Sequence, residues 1–188
     1  MPHSNVLTFA ILGILERSPL HGYQIRKRLG SELGPFRALS YGSLYPALKR
    51  MMASGLIGMD ADDLLVKGSR RSKIAYRLTD AGRDQFEKEL ASAGTSSWED
   101  GTFDVRFSMF DRTAPATRLR ILEGRRTRLA ERLEETGAAF RRVRDRHEAY
   151  TAELQRHGLE TVEREVEWLD RLIEEERSAL GGTDNNSA

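Results

Sequence analysis

The 188-residue chain contains no cysteine, so it can form neither a disulfide nor a thiolate metal site, and a reducing cytoplasm fits it. It has no long apolar run either. The longest early one, Val6 to Leu15, is interrupted by Thr8 and Gly13 and is too short to cross a bilayer. It lacks the basic flank and cleavage-like site of a leader, so it reads as a core helix and no membrane partner is expected. A catalytic set is also missing: no nucleophile, base and orienting group occur together. His147-Glu148 opens like a zinc-protease motif, but Thr151 stands where the second histidine ligand is required, so no metal site and no cofactor follow. Asp62-Asp63 and Glu174-Glu175-Glu176 are most simply solvated charges. These absences exclude an enzyme.

Net charge is nearly absent as well, at +1, yet the charges are unevenly placed. Residues 1–90 hold 14 Lys or Arg against 9 Asp or Glu, and residues 91–188 hold 16 against 20. The basic half is the one suited to a polyanion, because phosphate neutralisation dominates nucleic-acid affinity. With 39% hydrophobic and 31% charged residues, the whole reads as soluble and rich in helix.

Two helical patterns come first: Leu7, Ala10, Ile11, Ile14 and Leu15, then Ile25, Leu29 and Leu33 after the Ser18 to Gly22 break. A third gathers Leu44, Leu48, Met51 and Met52 on one side at about 100° per residue. Its opposite side carries Gly42, Pro46, Lys49 and Ala53, compact enough for close approach to a large flat surface such as a major groove. Pro46 fits if this helix begins near Gly42 or Ser43, which puts it in the first turn. Leu56-Ile57-Gly58-Met59 follows the Gly55 stop, and Ile74, Tyr76 and Leu78 alternate with Lys73, Ala75 and Arg77 at the period of a half-buried strand. The resulting hairpin has a basic tip from Lys67 to Lys73, suited to phosphates or a minor groove. Thr79 stands as N-cap of a helix from about Asp80 to Leu90.

Residues 91–104 are small, polar and poor in helix formers apart from Trp98 and Phe103, and mark a boundary. Beyond them a seven-residue recurrence suggests a helix from about Ala116 to His157, then a second after Gly158 that folds back on it. Its pairing residues are Leu119, Leu122, Leu129, Leu133, Phe140, Val143, Tyr150 and Leu154, continued by Val162, Val166, Leu169 and Ile173. Arg126 and His147 are polar members of the long seam. A hairpin this thin cannot bury its own seam, which makes a second copy the economical partner, the alternative being a bundle packed within one chain. The expected organisation is residues 1–90 as a winged helix-turn-helix, 91–115 as linker with a short helix, 116–180 as a helical dimerisation domain and 181–188 as a disordered tail. The fold class is therefore mainly α with a small β-hairpin.

Leu7 to Leu15, His21-Gly22-Tyr23 with Ile25, Gly42-Ser43-Leu44-Tyr45-Pro46-Ala47-Leu48, Gly55-Leu56-Ile57 and Tyr76-Arg77-Leu78-Thr79-Asp80-Ala81-Gly82 together resemble the PadR family of bacterial transcriptional regulators, over about residues 5–90. The long tail resembles the larger-tailed branch of that family. The resemblance implies a homodimer binding double-stranded DNA at an inverted-repeat operator and usually repressing, with some relatives activating. It also implies a variable small effector, often a phenolic acid or drug-like aromatic. DNA contacts would fall on Tyr23, on Ser40, Tyr41, Ser43, Tyr45 and Lys49, and on the wing residues Arg70, Arg71 and Lys73.

Blander readings stand beside these. Tyr41 and Tyr45 can be core aromatics. Trp98 and Trp168 can simply fill volume, the sharper expectation being that they join Phe103 in walling an effector pocket. A winged helix can also serve as a protein-interaction module without a DNA role, in which case exposed apolar anchors would replace the compact, basic face.

Overall fold

The computed structural model describes residues 2–32, 41–60, 74–143 and 149–184. They divide into two compact units, one of Met1–Ser92 with Asp100–Thr113, the other of Ala93–Glu99 with Ala114–Ala188.

The first unit is built around α1 (Pro2–Leu15). Its apolar residues point in every direction, and Val6, Leu7, Phe9, Ala10, Ile11, Leu12, Ile14 and Leu15 are all buried, as expected of a helix that is hydrophobic all round. Against it pack α2 (Gly22–Glu32) through Ile25 and Leu29, α3 (Tyr41–Ala53) through Leu44, Ala47, Leu48 and Met51, and α4 (Asp80–Ala91) through Phe86. The Phe9 and Phe86 rings lie 5.5 Å apart. Each such aliphatic or aromatic side chain contributes about 1.5–3 kcal/mol on burial.

Three antiparallel strands complete the winged helix: β1 (Leu20–His21), β2 (Ile57–Met59) and β3 (Ala75–Leu78), in the order β1-β3-β2. Leu20 faces Tyr76 on one edge of β3, and Met59 faces Tyr76 on the other. The two-residue β1 lies inside the Ser18 to Gly22 stretch, where the sequence suggests only a break. Strand alternation also differs from expectation: Ala75 is buried and Ile74 exposed. Ala75 lies within the central strand, paired with His21 of β1, whereas Ile74 precedes the strand.

The entry to the wing is locked by a few groups. Gly55 takes a φ of 73°, ending α3. The Thr79 hydroxyl accepts from the Gly82 N–H at 3.1 Å, as an N-cap does, and donates toward the carbonyls of Gly55 and Leu56 at 2.6 and 2.9 Å. A side chain at Gly82 would run into the Leu56 carbonyl.

Residues expected to form a linker belong partly to this unit. α5 (Phe103–Phe107) and a 3₁₀ turn (Phe110–Arg112) place Val105 and Met109 in the core.

The second unit is a helical hairpin of α6 (Pro115–Val143) and α7 (Ala149–Asp184), with a 3₁₀ turn (Thr95–Trp98) packed on α6. The helices run antiparallel: Arg118 pairs with Glu176 at 2.9 Å, Arg126 with Asp170 at 2.9 Å, and Arg125 with Glu165 at 2.7 Å. The first helix thus ends at Val143 and does not continue to His157. Gly158 lies within α7 at an exposed position; one exposed interior glycine costs only about 1 kcal/mol of helix propensity, which a long packed helix absorbs. α7 reaches Asp184, beyond the expected start of the tail at 181.

Candidate nucleic-acid interface

α3 separates its residues as the spacing suggests. Leu44, Leu48 and Met51 are buried, with Ala47 among them, while Gly42, Tyr45, Pro46, Lys49, Arg50 and Ala53 form the exposed face and Ser43 is half-buried. The helix begins at Tyr41, one residue earlier than expected, so Pro46 lies past the first turn and counts as an interior proline. Its missing N–H removes the intrahelical partner of the Gly42 carbonyl. That carbonyl sits on the exposed side, where water can satisfy it.

Tyr45 is 58% exposed and Tyr23 53%, so neither is a core aromatic. Tyr23 stacks on His21, the rings 5.9 Å apart and within 9° of parallel. The start of α2 is fixed by the Gln24 side chain, whose Oε1 accepts from the His21 backbone N–H at 2.8 Å, half of a capping box. Burial pushes the Tyr76 phenol pKa up, and the neighbouring Tyr45 adds to the rise, so Tyr76 stays a neutral hydroxyl at the base of this face.

Tyr23, Ser43, Tyr45 and Lys49 therefore lie on the α2–α3 side of the unit. Ser40, Arg70, Arg71 and Lys73 lie outside the described residues, as does the side chain of Tyr41. Within the hairpin, Arg77 reaches across to donate to the Met59 carbonyl at 3.3 Å. Arg50 flanks Lys49 on α3, and Arg26 and Lys27 on α2, which the sequence pattern did not single out, are exposed as well. The spacing of Tyr23, Arg26, Lys27 and Gly30, three or four apart, was the available signal, since it puts them on one helix face.

The aromatics expected to wall an effector pocket divide between the units. Phe103 is buried in α5, its ring 5.8 Å from that of Phe107. Trp98 and Trp168 belong to the helical unit and are half-buried. The Trp98 ring lies against the α6 backbone at Gly124, and its carbonyl accepts from Arg125 at 3.1 Å. Arg125, not Arg126, is the polar residue inside the hairpin: it is buried and bonded to Glu165, whereas Arg126 is exposed. His147 lies outside the described residues.

Of the expected pairing residues, Leu122, Leu129, Leu169 and Ile173 are buried within the single chain, and Leu119, Leu133, Val162 and Val166 half-buried. Tyr150 and Leu154 stand 92% and 71% exposed. The side chains of Phe140 and Val143 are not among those described. Among the described residues no helix is long and apolar enough to cross a membrane, and no group of three or more His, Asp or Glu could hold a metal ion.

Residues 11–88 match the family described as the Transcriptional regulator PadR-like family, and form a PadR-like domain. The negative transcriptional regulator PadR of Bacillus subtilis (strain 168) is 35% identical over 85 residues, which cover 45% of this chain and 45% of that protein, so the match spans about half the relative's length. Among solved structures, B. subtilis PadR in complex with operator DNA aligns with 91% of this chain and 99% of its own, at 21% identity and a TM-score of 0.43. The same protein in complex with p-coumaric acid gives 92%, 99%, 21% and 0.41. The Vibrio cholerae virulence activator AphA gives 95%, 98%, 20% and 0.40.

Proposed function

We propose that this chain is a DNA-binding transcriptional regulator of the cytoplasm that binds an inverted-repeat operator as a homodimer and represses in a ligand-dependent way. The observation that carries the reading is the division of α3: one face is buried in the core, and the other presents Gly42, Tyr45, Pro46, Lys49 and Arg50 to solvent. A helix held rigidly by its apolar side, with small residues and cations outward, suits a major groove. Tyr23, Arg26 and Lys27, exposed on α2, are proposed to meet the flanking backbone, and Arg70, Arg71 and Lys73 to contact phosphates from the wing. Repression is supported by the negative regulator that the first unit resembles.

Pairing is assigned to the helical unit, where Tyr150 and Leu154 leave apolar surface uncovered on α7. A small aromatic or drug-like effector is assigned to the same unit, with Trp98 and Trp168 as its walls. The exposed Tyr23 and Tyr45 also give some support to a protein-interaction module without a DNA role, since aromatics anchor protein interfaces.

The test is selection of duplexes from a randomised pool by the full-length protein, followed by titration of the enriched duplex and a scrambled one. An enriched pseudo-palindrome bound at least a hundredfold more tightly than the scrambled duplex is expected; specific sites typically exceed non-specific ones by about 10³ or more. Equal affinity for both duplexes would exclude the reading.

A further inference from the structure

Tyr45 is largely exposed, yet its phenol end lies over the start of α2. Cε1, Oη and Cζ of the ring lie 3.1, 3.6 and 3.7 Å from the point where a Cβ on Gly22 would stand. Gly22 is the first residue of α2 and is itself buried, while the ring that lies over it is 58% exposed. Two helices distant in sequence meet here, through a residue that has no side chain and one whose side chain is the largest on the outer face of α3.

We propose that Gly22 is a positioning residue for DNA reading: its missing side chain lets the start of α2 brace the Tyr45 ring, so that α3 presents the ring to a duplex in one orientation. This rests on the DNA-reading function proposed above and adds to it a residue that need touch no DNA. A ring held before binding loses less freedom on binding, and a defined orientation lets it discriminate between base-pair edges. Carbon atoms in contact sit about 3.5–4.0 Å apart, so a methyl at position 22 forces the ring to move. The atoms that the methyl meets are the far end of an exposed side chain rather than backbone, so the ring and not the core gives way, by a few tenths of an ångström. Alanine is also the better helix former, so the substitution has no reason to weaken α2. A selective loss of discrimination without loss of stability therefore separates positioning from a merely structural role.

The experiment uses the full chain as wild type, G22A, Y45L and the double variant. The probes are the duplex that the wild type enriches from a randomised pool and a scrambled duplex of equal length, titrated at one salt concentration, with thermal melting alongside. G22A is expected to bind the enriched duplex about fivefold or more weakly, a modest share of what one base contact discriminates. Its affinity for the scrambled duplex should stay within about twofold, since phosphate contacts are untouched. Y45L, whose side chain is too short to reach Gly22, should lose discrimination likewise, and the double variant should bind no more weakly than Y45L. Wild-type affinity in G22A overturns the proposal, as does a G22A effect undiminished in the Y45L background. Should G22A fail to fold, the double variant, freed of the contact, is expected to melt like Y45L; unfolding there too, or full discrimination by Y45L, overturns it. A wild type that enriches no duplex at all is a different outcome, and removes the DNA-reading function itself.

Discussion

The guanidinium of Arg112 donates to the carbonyl of Gly13 at 3.0 Å and pairs with the Glu16 carboxylate at 3.2 Å, closing the C-terminal end of α1 from 99 residues further along the chain. Arg106 does the same for α4. It lies over the Phe9 ring at 4.4 Å, donates to the carbonyls of Glu89 and Ser92, and faces the Glu89 carboxylate at 4.0 Å. Both arginines place positive charge at the negative end of a helix, where the last carbonyls lack helical partners.

Arg106→Ala is therefore expected to destabilise the first unit by about 3 kcal/mol, the scale for breaking a buried, hydrogen-bonded charge arrangement. Burial lowers the Arg106 pKa and Glu89 partly restores it, but the guanidinium remains protonated at neutral pH, so the loss should be flat between pH 6 and 8. Arg112→Ala, at a more open site, should cost about 1 kcal/mol. Urea denaturation of the two variants at matched pH measures both; equal effects would show that burial does not set the scale.

A chain ending at Thr113 should melt cooperatively, whereas one ending at Leu90 should melt far lower or not at all. Truncation at Leu90 removes Val105 and Met109 from the core along with both arginine caps. Circular dichroism of the two fragments decides it, and comparable melting would mean that 100–113 is an appendage.

That segment marks the limit of what the sequence discloses. The three helices, the hairpin and the Thr79 cap were legible because each had a periodic stripe or a stop and start residue. Residues 100–113 form one five-residue helix and a three-residue turn, too short for periodicity, and their apolar residues are recruited by a distant core. In the tail, the heptads run on past Val143, the last described residue of α6, although α7 runs antiparallel to it, since a seven-residue pattern registers no change of direction. At the interface, helix spacing leaves Tyr45 open to a core or a surface place, and its contact with Gly22 joins α3 to α2 and leaves no local trace.

Thr79→Ala should cost about 1–2 kcal/mol, the upper range for an N-cap, because the hydroxyl serves the Gly82 N–H and the Gly55 and Leu56 carbonyls together. Gly82→Ala should cost more, since the new methyl meets backbone rather than a movable side chain. Thermal melts rank them; the reverse order would mean that β2 yields easily.

Lys49→Ala and Lys27→Ala should separate reading from phosphate attraction. Lys49 stands on the outer face of α3, so its loss should weaken the enriched duplex more than a scrambled one. Lys27 lies on the exposed face of α2, and its loss should weaken both alike and flatten the salt slope by about one unit. Salt titrations of each variant on both duplexes provide the check, and a sequence-selective effect confined to Lys27 would reverse the assignment of the two helices.

Pairing is tested most cleanly at Tyr150 and Leu154. Charge at Leu129 or Leu169 would disrupt the hairpin itself, since both are buried within one chain, and the loss of binding that followed would say nothing about assembly. Tyr150 and Leu154 are exposed on successive turns of α7, so Tyr150→Glu with Leu154→Glu leaves the hairpin intact while opposing any second copy that covers them. Light scattering is expected to shift toward monomer with the melting temperature of the first unit unchanged. Affinity for a two-half-site duplex should fall by about a hundredfold, the advantage of linked readers, and affinity for a single half-site should hold. A variant that stays dimeric with full operator affinity would move the pairing surface elsewhere. α1 is a poor alternative: Val6 to Leu15 are almost wholly enclosed by their own unit, and a second copy could reach them only by unfolding it.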